Sequence, residues 1–257
     1  MKKLFNRNLQ YFPEASISEM DGIRALHLDS DVMQSAMNIK NPPQLVLSYC
    51  VAMVSWLLFA KNVRHITHIG LGGGSIVRWI ANFFPEIKQL AVEINPQVIS
   101  IARTMFELPF EDNDGFFHIE QADGIEFVRM LNNSTDVILV DCFDGIQIIE
   151  EMLEQPFLND CYNALTNYGM LVCNLWSKDK RYQKFVSQIE NVFNNRVLEI
   201  PATTHGNVAV LAFKRQPENI TEQNLYKTAQ VLSQKTDTDF FANYNAIIAD
   251  NKKRKLW

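Results

Sequence analysis

Cysteine is sparse in this chain and not paired in pattern. Cys50, Cys142, Cys161 and Cys173 are the four in 257 residues, and none falls in a CxxC pair. That excludes a zinc ribbon and a disulfide framework. Each lies in or beside an apolar segment, so reduced, buried thiols are expected. No His/Cys/Asp spacing suggests a metal site, and no metal is expected. Positive charge is also short: 24 Lys and Arg against 29 Asp and Glu leave a net charge of −5. A chain of that balance lacks the basic surface that nucleic acid or an anionic membrane requires, so neither is an expected partner. Long apolar runs are missing. Val46 to Ala60 is too short to span a bilayer and is interrupted by Ser48, Tyr49 and Ser55, which reads as a buried helix. Met1 to Pro13 holds Lys2, Lys3 and Arg7 without the apolar core of a secretory signal, so the cytoplasm is the expected location. Ser75 sits in no Gly-x-Ser-x-Gly elbow, which removes the hydrolase reading.

What remains is an alternation of short apolar strands and amphipathic helices. Asp21-Gly22, flanked by alternating residues, predicts a β-hairpin over Ile17–Met20 and Ile23–Leu28. Beyond the buried helix, strands are expected at His65–Gly70, Gln89–Ile94, Phe116–Gln121, Val137–Asp141, Met170–Trp176, Arg196–Pro201 and Asn207–Phe213. Helices lie between most of them, and Leu225 to Trp257 reads as helical, with Lys252 to Lys255 as a solvated basic tail. This alternation implies an α/β fold with a doubly wound, mainly parallel sheet. Residues 1–60 read as a small N-terminal hairpin and helix region, and 61–257 as a nucleoside-binding domain with a C-terminal helix.

In such a sheet, ligands bind beyond the carboxyl ends of the strands. Five features converge there: the turn Gly70-Leu71-Gly72-Gly73-Gly74-Ser75, Glu93, Asp123-Gly124, Asp141 and Asp144. Glycines let a backbone approach a ligand that a Cβ would block. Glu93 follows Gly74 at about the 20 residues that place a carboxylate on a ribose. The Gly-x-Gly-x-Gly-Ser pattern favours a mononucleoside such as S-adenosylmethionine over a dinucleotide. Asp123 also suits a helix N-cap. Asp141 and Asp144 stand three residues apart, so their mutual repulsion is expected to raise one pKa. Such a carboxylate takes a proton from an ammonium or holds a cation. His65, His68 and His118 fall away from the ligand side and read as structural or surface residues. His205 lies in a late loop, where a place at the pocket border is the lesser of its two readings, and Trp176 reads as core.

Taken in order, these motifs resemble the spermidine synthase family of polyamine aminopropyltransferases, which has the Rossmann-like class I methyltransferase fold. The resemblance runs from Ile17 to Phe213 through Leu28-Asp29 with Gln34, the glycine turn, Val92-Glu93-Ile94-Asn95, Ala122-Asp123-Gly124 and the Asp141-x-x-Asp144 motif. It implies that Gly70, Gly72, Gly73, Gly74 and Gly124 shape the nucleoside site. Glu93 would bind the ribose, Asp123 the adenine amino group, and Gln34 the sulfonium side. Asp144 would be the general base, with Asp141 holding the substrate. The co-substrate would be decarboxylated S-adenosylmethionine, the partner a small-molecule amine, and the assembly a homo-oligomer, dimer or tetramer.

Three residues depart from the family pattern. Gly73 stands where the family carries an aspartate that pairs with the donor's ammonium. Cys50-Val51 replaces the polar residue and glutamate that follow the tyrosine matched by Tyr49. Thr203 falls where a tyrosine lines the amine channel. The turn therefore holds no acid to repel a carboxylate, and its N–H groups suit the carboxylate of undecarboxylated S-adenosylmethionine. Methyl transfer and a non-catalytic adenosine-binding role both stay open on the residues alone.

Overall fold

The computed structural model describes residues 12–60, 62–111, 115–142, 149–204 and 206–257. β1 (Ala15–Met20) and β2 (Ile23–Leu28) form the expected hairpin. Met20 faces Ile23 across the turn, and Asp21 and Gly22 both have positive φ (52° and 78°). This is the backbone that a two-residue hairpin turn demands and that Asp-Gly supplies. A third strand, β3 (Met33–Asn38), pairs antiparallel with β2. It was not expected, because Ser35 and Ala36 at its centre are small and carry little strand preference.

The apolar run after Pro43 is helical but not one helix. α1 (Ser48–Met53) passes into a 3₁₀ turn at Val54–Leu58. The Ser55 hydroxyl donates to the Ala52 carbonyl oxygen at 2.6 Å at that change.

β4 (His65–Ile69), α2 (Ser75–Phe83), β5 (Lys88–Glu93), α3 (Pro96–Met105), β6 (Phe117–Gln121), α4 (Gly124–Met130) and β7 (Thr135–Val140) then alternate. α5 (Gln155–Ala164), β8 (Leu165–Trp176), α6 (Tyr182–Val192), β9 (Val197–Pro201) and β10 (Asn207–Phe213) follow. The seven strands lie in the order β6-β5-β4-β7-β8-β10-β9. All pairs are parallel except those of β10, which runs antiparallel to β8 and β9. The strand order reverses between β4 and β7, which opens a crevice at their carboxyl ends.

Helices cover both faces. α1, α2 and the C-terminal pair α7 (Glu222–Thr236) and α8 (Phe240–Arg254) pack on one side around Trp56, Trp79 and Phe240. α4, α5 and α6 pack on the other around Phe157, Leu158 and Phe185. The tail is two helices because Asp237 turns left-handed (φ 51°) and Asp239 caps the next start, accepting from the Phe241 N–H at 2.8 Å. Its basic run is not wholly solvated. Arg254 pairs with Asp250 at 2.7 Å and with Glu190 and Glu199, tying α8 to α6 and β9. No helix among the described residues is long and apolar enough to cross a membrane. The four cysteines are buried and unbridged, as expected.

His68 is buried on β4, with its Nε2 3.0 Å from Gln89 Oε1. Burial lowers its pKa from 6.5 to about 4, so the ring is neutral in the fold. An unfolded chain binds the proton near pH 6.5, and the folded chain only near 4. Its contribution to stability is therefore whole above pH 6.5 and is lost as pH falls towards 4, by roughly 3 kcal/mol. Unfolding midpoints measured from pH 7 to 4 should show this slope, and His68→Gln should flatten it.

Candidate active site

A cavity of 210 Å³ opens at the switch point, walled by the glycine turn and by the ends of β4, β5 and β7. The small sheet closes it from one side. Ser75 Oγ at the start of α2 donates to the Ala36 carbonyl oxygen at 3.1 Å and lies 3.0 Å from Ser35 Oγ. These contacts hold β3 against the turn and bring Gln34 into the wall.

The turn's glycines do different work. Gly70, Gly72 and Gly74 line the cavity. At Gly70 (φ 95°), a Cβ would stand 2.3 Å from the Asp141 carbonyl oxygen, so the residue is glycine because β4 and β7 meet there. Gly73 is not among the lining residues. A Cβ on it would lie 2.7 Å from the Phe106 ring and 2.9 Å from Ser35 Oγ. On its Cβ side the turn packs against protein. Beneath it, buried Arg78 donates through Nη1 to the carbonyl oxygens of Gly73 and, at 2.8 Å, Phe106. Nε donates to Pro42 O at 3.1 Å. Burial lowers this guanidinium to about 10, where it remains charged at neutral pH. An aspartate in place of Gly73 would have to displace the Phe106 ring and the Ser35 hydroxyl. Gly73→Asp should therefore cost about 1–3 kcal/mol of stability, read from denaturant unfolding beside donor titration.

Glu93 ends β5 with one oxygen accepting from the Leu71 N–H at 3.1 Å and the other from the Asn95 N–H at 2.9 Å. Enclosure in the cavity wall raises its pKa, and those N–H groups oppose the rise. The N–H groups of Ile94 and Gly72 pull the same way, so backbone donors from β5's end and from the glycine turn hold this carboxylate on the cavity wall. Asp123 caps α4, accepting from the Ile125 N–H at 2.8 Å, and that role leaves it on the cavity wall. Gly124 beside it also lines the cavity.

Asp141 Oδ1 accepts from Asn174 Nδ2 at 2.8 Å. Its pKa is raised, first by enclosure; the hydrogen bonds of Asn174 and Tyr49 pull the other way. The expected cause was repulsion by Asp144, which lies outside the described residues, as do His205 and Gly145. Tyr49 and Cys50, noticed only as family positions, turn out to line the cavity. The Tyr49 hydroxyl donates to the Gln34 carbonyl oxygen at 3.1 Å, and burial together with the Asp141 charge raises its pKa well above the usual range. The Cys50 thiol is pushed up to about 12 by burial and by Asp141, so it is protonated and unreactive at neutral pH. Trp176, expected in the core, is 40% exposed at the end of β8. Thr203 is exposed, and its neighbour Thr204 is tied through Oγ1 to Ser48 Oγ at 2.6 Å, beside Tyr49.

A family model described as the spermine/spermidine synthase domain matches residues 50–224. The chain belongs to the spermine/spermidine synthase family. The polyamine aminopropyltransferase of Neisseria meningitidis serogroup A is 52% identical over 241 residues, which cover 93% of this chain and 91% of that one. The enzyme class is that of the family, a transferase of aminopropyl groups. Solved structures agree on the fold. A probable spermidine synthase from Corynebacterium glutamicum matches with a TM-score of 0.71 at 18% identity, over 88% of this chain and 85% of that one. Human methyltransferase-like protein 13, solved with SAH, matches with a TM-score of 0.67 at 22% identity, over 74% and 92%.

Proposed function

We propose that this aminopropyltransferase takes decarboxylated S-adenosylmethionine as donor and a small polyamine-type amine as acceptor. The observation that carries this reading is the single cavity wall that joins Gln34, Glu93, Asp123 and Asp141 at the switch point. In this reading Glu93 receives the ribose hydroxyls, Asp123 faces the adenine amino group, and Gln34 lies towards the sulfonium. Asp141 holds the acceptor as an ammonium, and Asp144 takes its proton. The freed nitrogen lone pair attacks the aminopropyl carbon next to sulfur. A C–N bond forms, the C–S bond breaks with its electrons going to sulfur, and neutral methylthioadenosine leaves. The positive charge passes from sulfur to the new secondary ammonium, and the proton removed beforehand resides on the Asp144 carboxyl group. Rate comes from positioning and proton removal. A homo-oligomer in the cytoplasm completes the proposal.

The test is a product assay by mass spectrometry with both donors, decarboxylated and undecarboxylated, and a mixture of di- and polyamines. Methylthioadenosine with an amine heavier by one aminopropyl unit is the expected result and names the acceptor. S-adenosylhomocysteine with a methylated product, or no product from bound donor, would overturn it.

A further inference from the structure

Asn174 is an amide in the apolar, carboxyl-terminal half of β8. It is 2% exposed, and Val172, Cys173 and Leu175 around it on β8 are buried as well. A buried amide is costly unless both of its ends are paired. Here they are, on opposite sides. Asn207 Nδ2, at the first residue of β10, donates to Asn174 Oδ1 at 3.1 Å, and Asn174 Nδ2 donates to Asp141 Oδ1 at 2.8 Å. The line of donors crosses three adjacent strands, from β10 through β8 to the end of β7. Its direction is fixed by chemistry. An amide oxygen accepts and an amide nitrogen donates. Because the Asp141 carboxylate can only accept, the nitrogen of Asn174 faces it, and the Asn174 oxygen is the end left to accept from Asn207.

We propose that Asn207 and Asn174 form a two-amide relay that orients the Asp141 carboxylate, with Asn174 and Asn207 acting as positioning residues for the acceptor amine. The inference rests on the reading of Asp141 as the acid that holds that amine. With Oδ1 occupied by Asn174, the carboxyl group cannot rotate freely on the cavity wall. The Tyr49 hydroxyl, which donates to Gln34 O, is its second hydrogen-bonding neighbour. Among the described residues, the titratable or charged groups that face Asp141 or its neighbours are Tyr49 and Cys50 from α1, Cys142 beside it, Glu93 across Cys142, and Arg78, which acts on Cys50. Only Asn174 and Tyr49 oppose, by hydrogen bonding, the rise in pKa that enclosure causes.

The sign of the consequence follows. A donor to the carboxylate favours the ionised form. Removing it leaves the enclosure unopposed, so Asp141 holds its proton to higher pH. Asn174→Leu should move the acidic limb of the kcat/KM profile for the amine up by about one pH unit. It should also raise KM for the amine about tenfold, with the affinity for methylthioadenosine unchanged. Asn207→Leu, at a half-buried strand start that tolerates change, should give a smaller shift of the same sign. That shift should vanish in the Asn174→Leu background, because the two act through one contact.

The titration of Asp141 is read directly, without turnover, by carbon NMR of Asp-labelled full-length protein, with its resonance assigned from Asp141→Asn. If Asn174→Leu does not fold, Asn207→Leu alone carries the NMR titration. An unmoved Asp141 titration, or shifts from the two sites that simply add, would overturn the relay. Normal turnover in Asp141→Asn with the NMR shift present would instead overturn the reading of Asp141, so the two failures are distinct.

Discussion

Replacing Asp144 with asparagine should lower kcat by about 10²–10⁴-fold, the usual contribution of a positioned proton acceptor. Affinity for methylthioadenosine should stay within about twofold. The reason is in the acceptor. An alkyl ammonium of the lysine type has a pKa of about 10.4, so at pH 7 fewer than roughly one molecule in a thousand carries a free lone pair. A sulfonium carbon reacts only with that form. Asparagine keeps the size and polarity of the side chain and loses the basicity alone. In the proposed division of roles Asp141, with Oδ1 engaged by Asn174, holds the ammonium. Asp141→Asn should therefore fall mainly on KM for the amine, whereas Asp144→Asn falls on kcat. Single-turnover rates with saturating donor separate the two. Turnover near normal in Asp144→Asn would remove its role as base.

The features that sequence reading found are those with short-range signatures. Asp21-Gly22 fixes its own turn, and the apolar alternation fixes the strands and their order of use. A glycine turn followed by an acid at one helix-plus-strand distance brings the turn and Glu93 to one cavity wall. What it missed depends on partners far along the chain. Asn174 meets Asp141 and Asn207 only because β8 lies between β7 and β10, and nothing in Leu171-Val172-Cys173-Asn174 announces those neighbours. Tyr49 stood in a recognisable place, yet its role depends on β3, a strand whose small polar centre hid it. Gly73 shows a further limit. The loss of an acid was legible, but its cause, the Phe106 ring and Ser35 hydroxyl where a Cβ would go, belongs to packing. Likewise the raised pKa of Asp141 was expected from a neighbouring charge, whereas enclosure is its leading cause. The rival of methyl transfer, raised by Gly73, is answered by the family match and by the 52% identity to a polyamine aminopropyltransferase.

Gly70→Ala should be the most damaging single methyl group in the chain. Gly70 N–H donates to Val92 O at 2.9 Å, and the Asp141 N–H donates to Ile69 O at 2.9 Å. The ends of β4, β5 and β7 are thus joined around one residue. Its φ of 95° disfavours any side chain, and the added Cβ would meet the Asp141 carbonyl oxygen at 2.3 Å. Backbone oxygen cannot swing aside as a flexible side chain can, so relief must come from separating β4 and β7. Strain of about 1–3 kcal/mol and overpacking of a similar size together give a loss of about 2–6 kcal/mol. Gly72→Ala makes the control. There φ is 52°, and the nearest atom to a new Cβ is Ser35 Cβ at 3.6 Å, an ordinary contact on a cavity-lining residue. It should cost only about 1 kcal/mol of stability and weaken methylthioadenosine binding instead. Denaturant midpoints and calorimetric titration on the two variants should therefore move in opposite proportions. A Gly70→Ala protein as stable as its parent would mean that β4 and β7 do not meet at Gly70, and the cavity would lose the wall that holds Asp141.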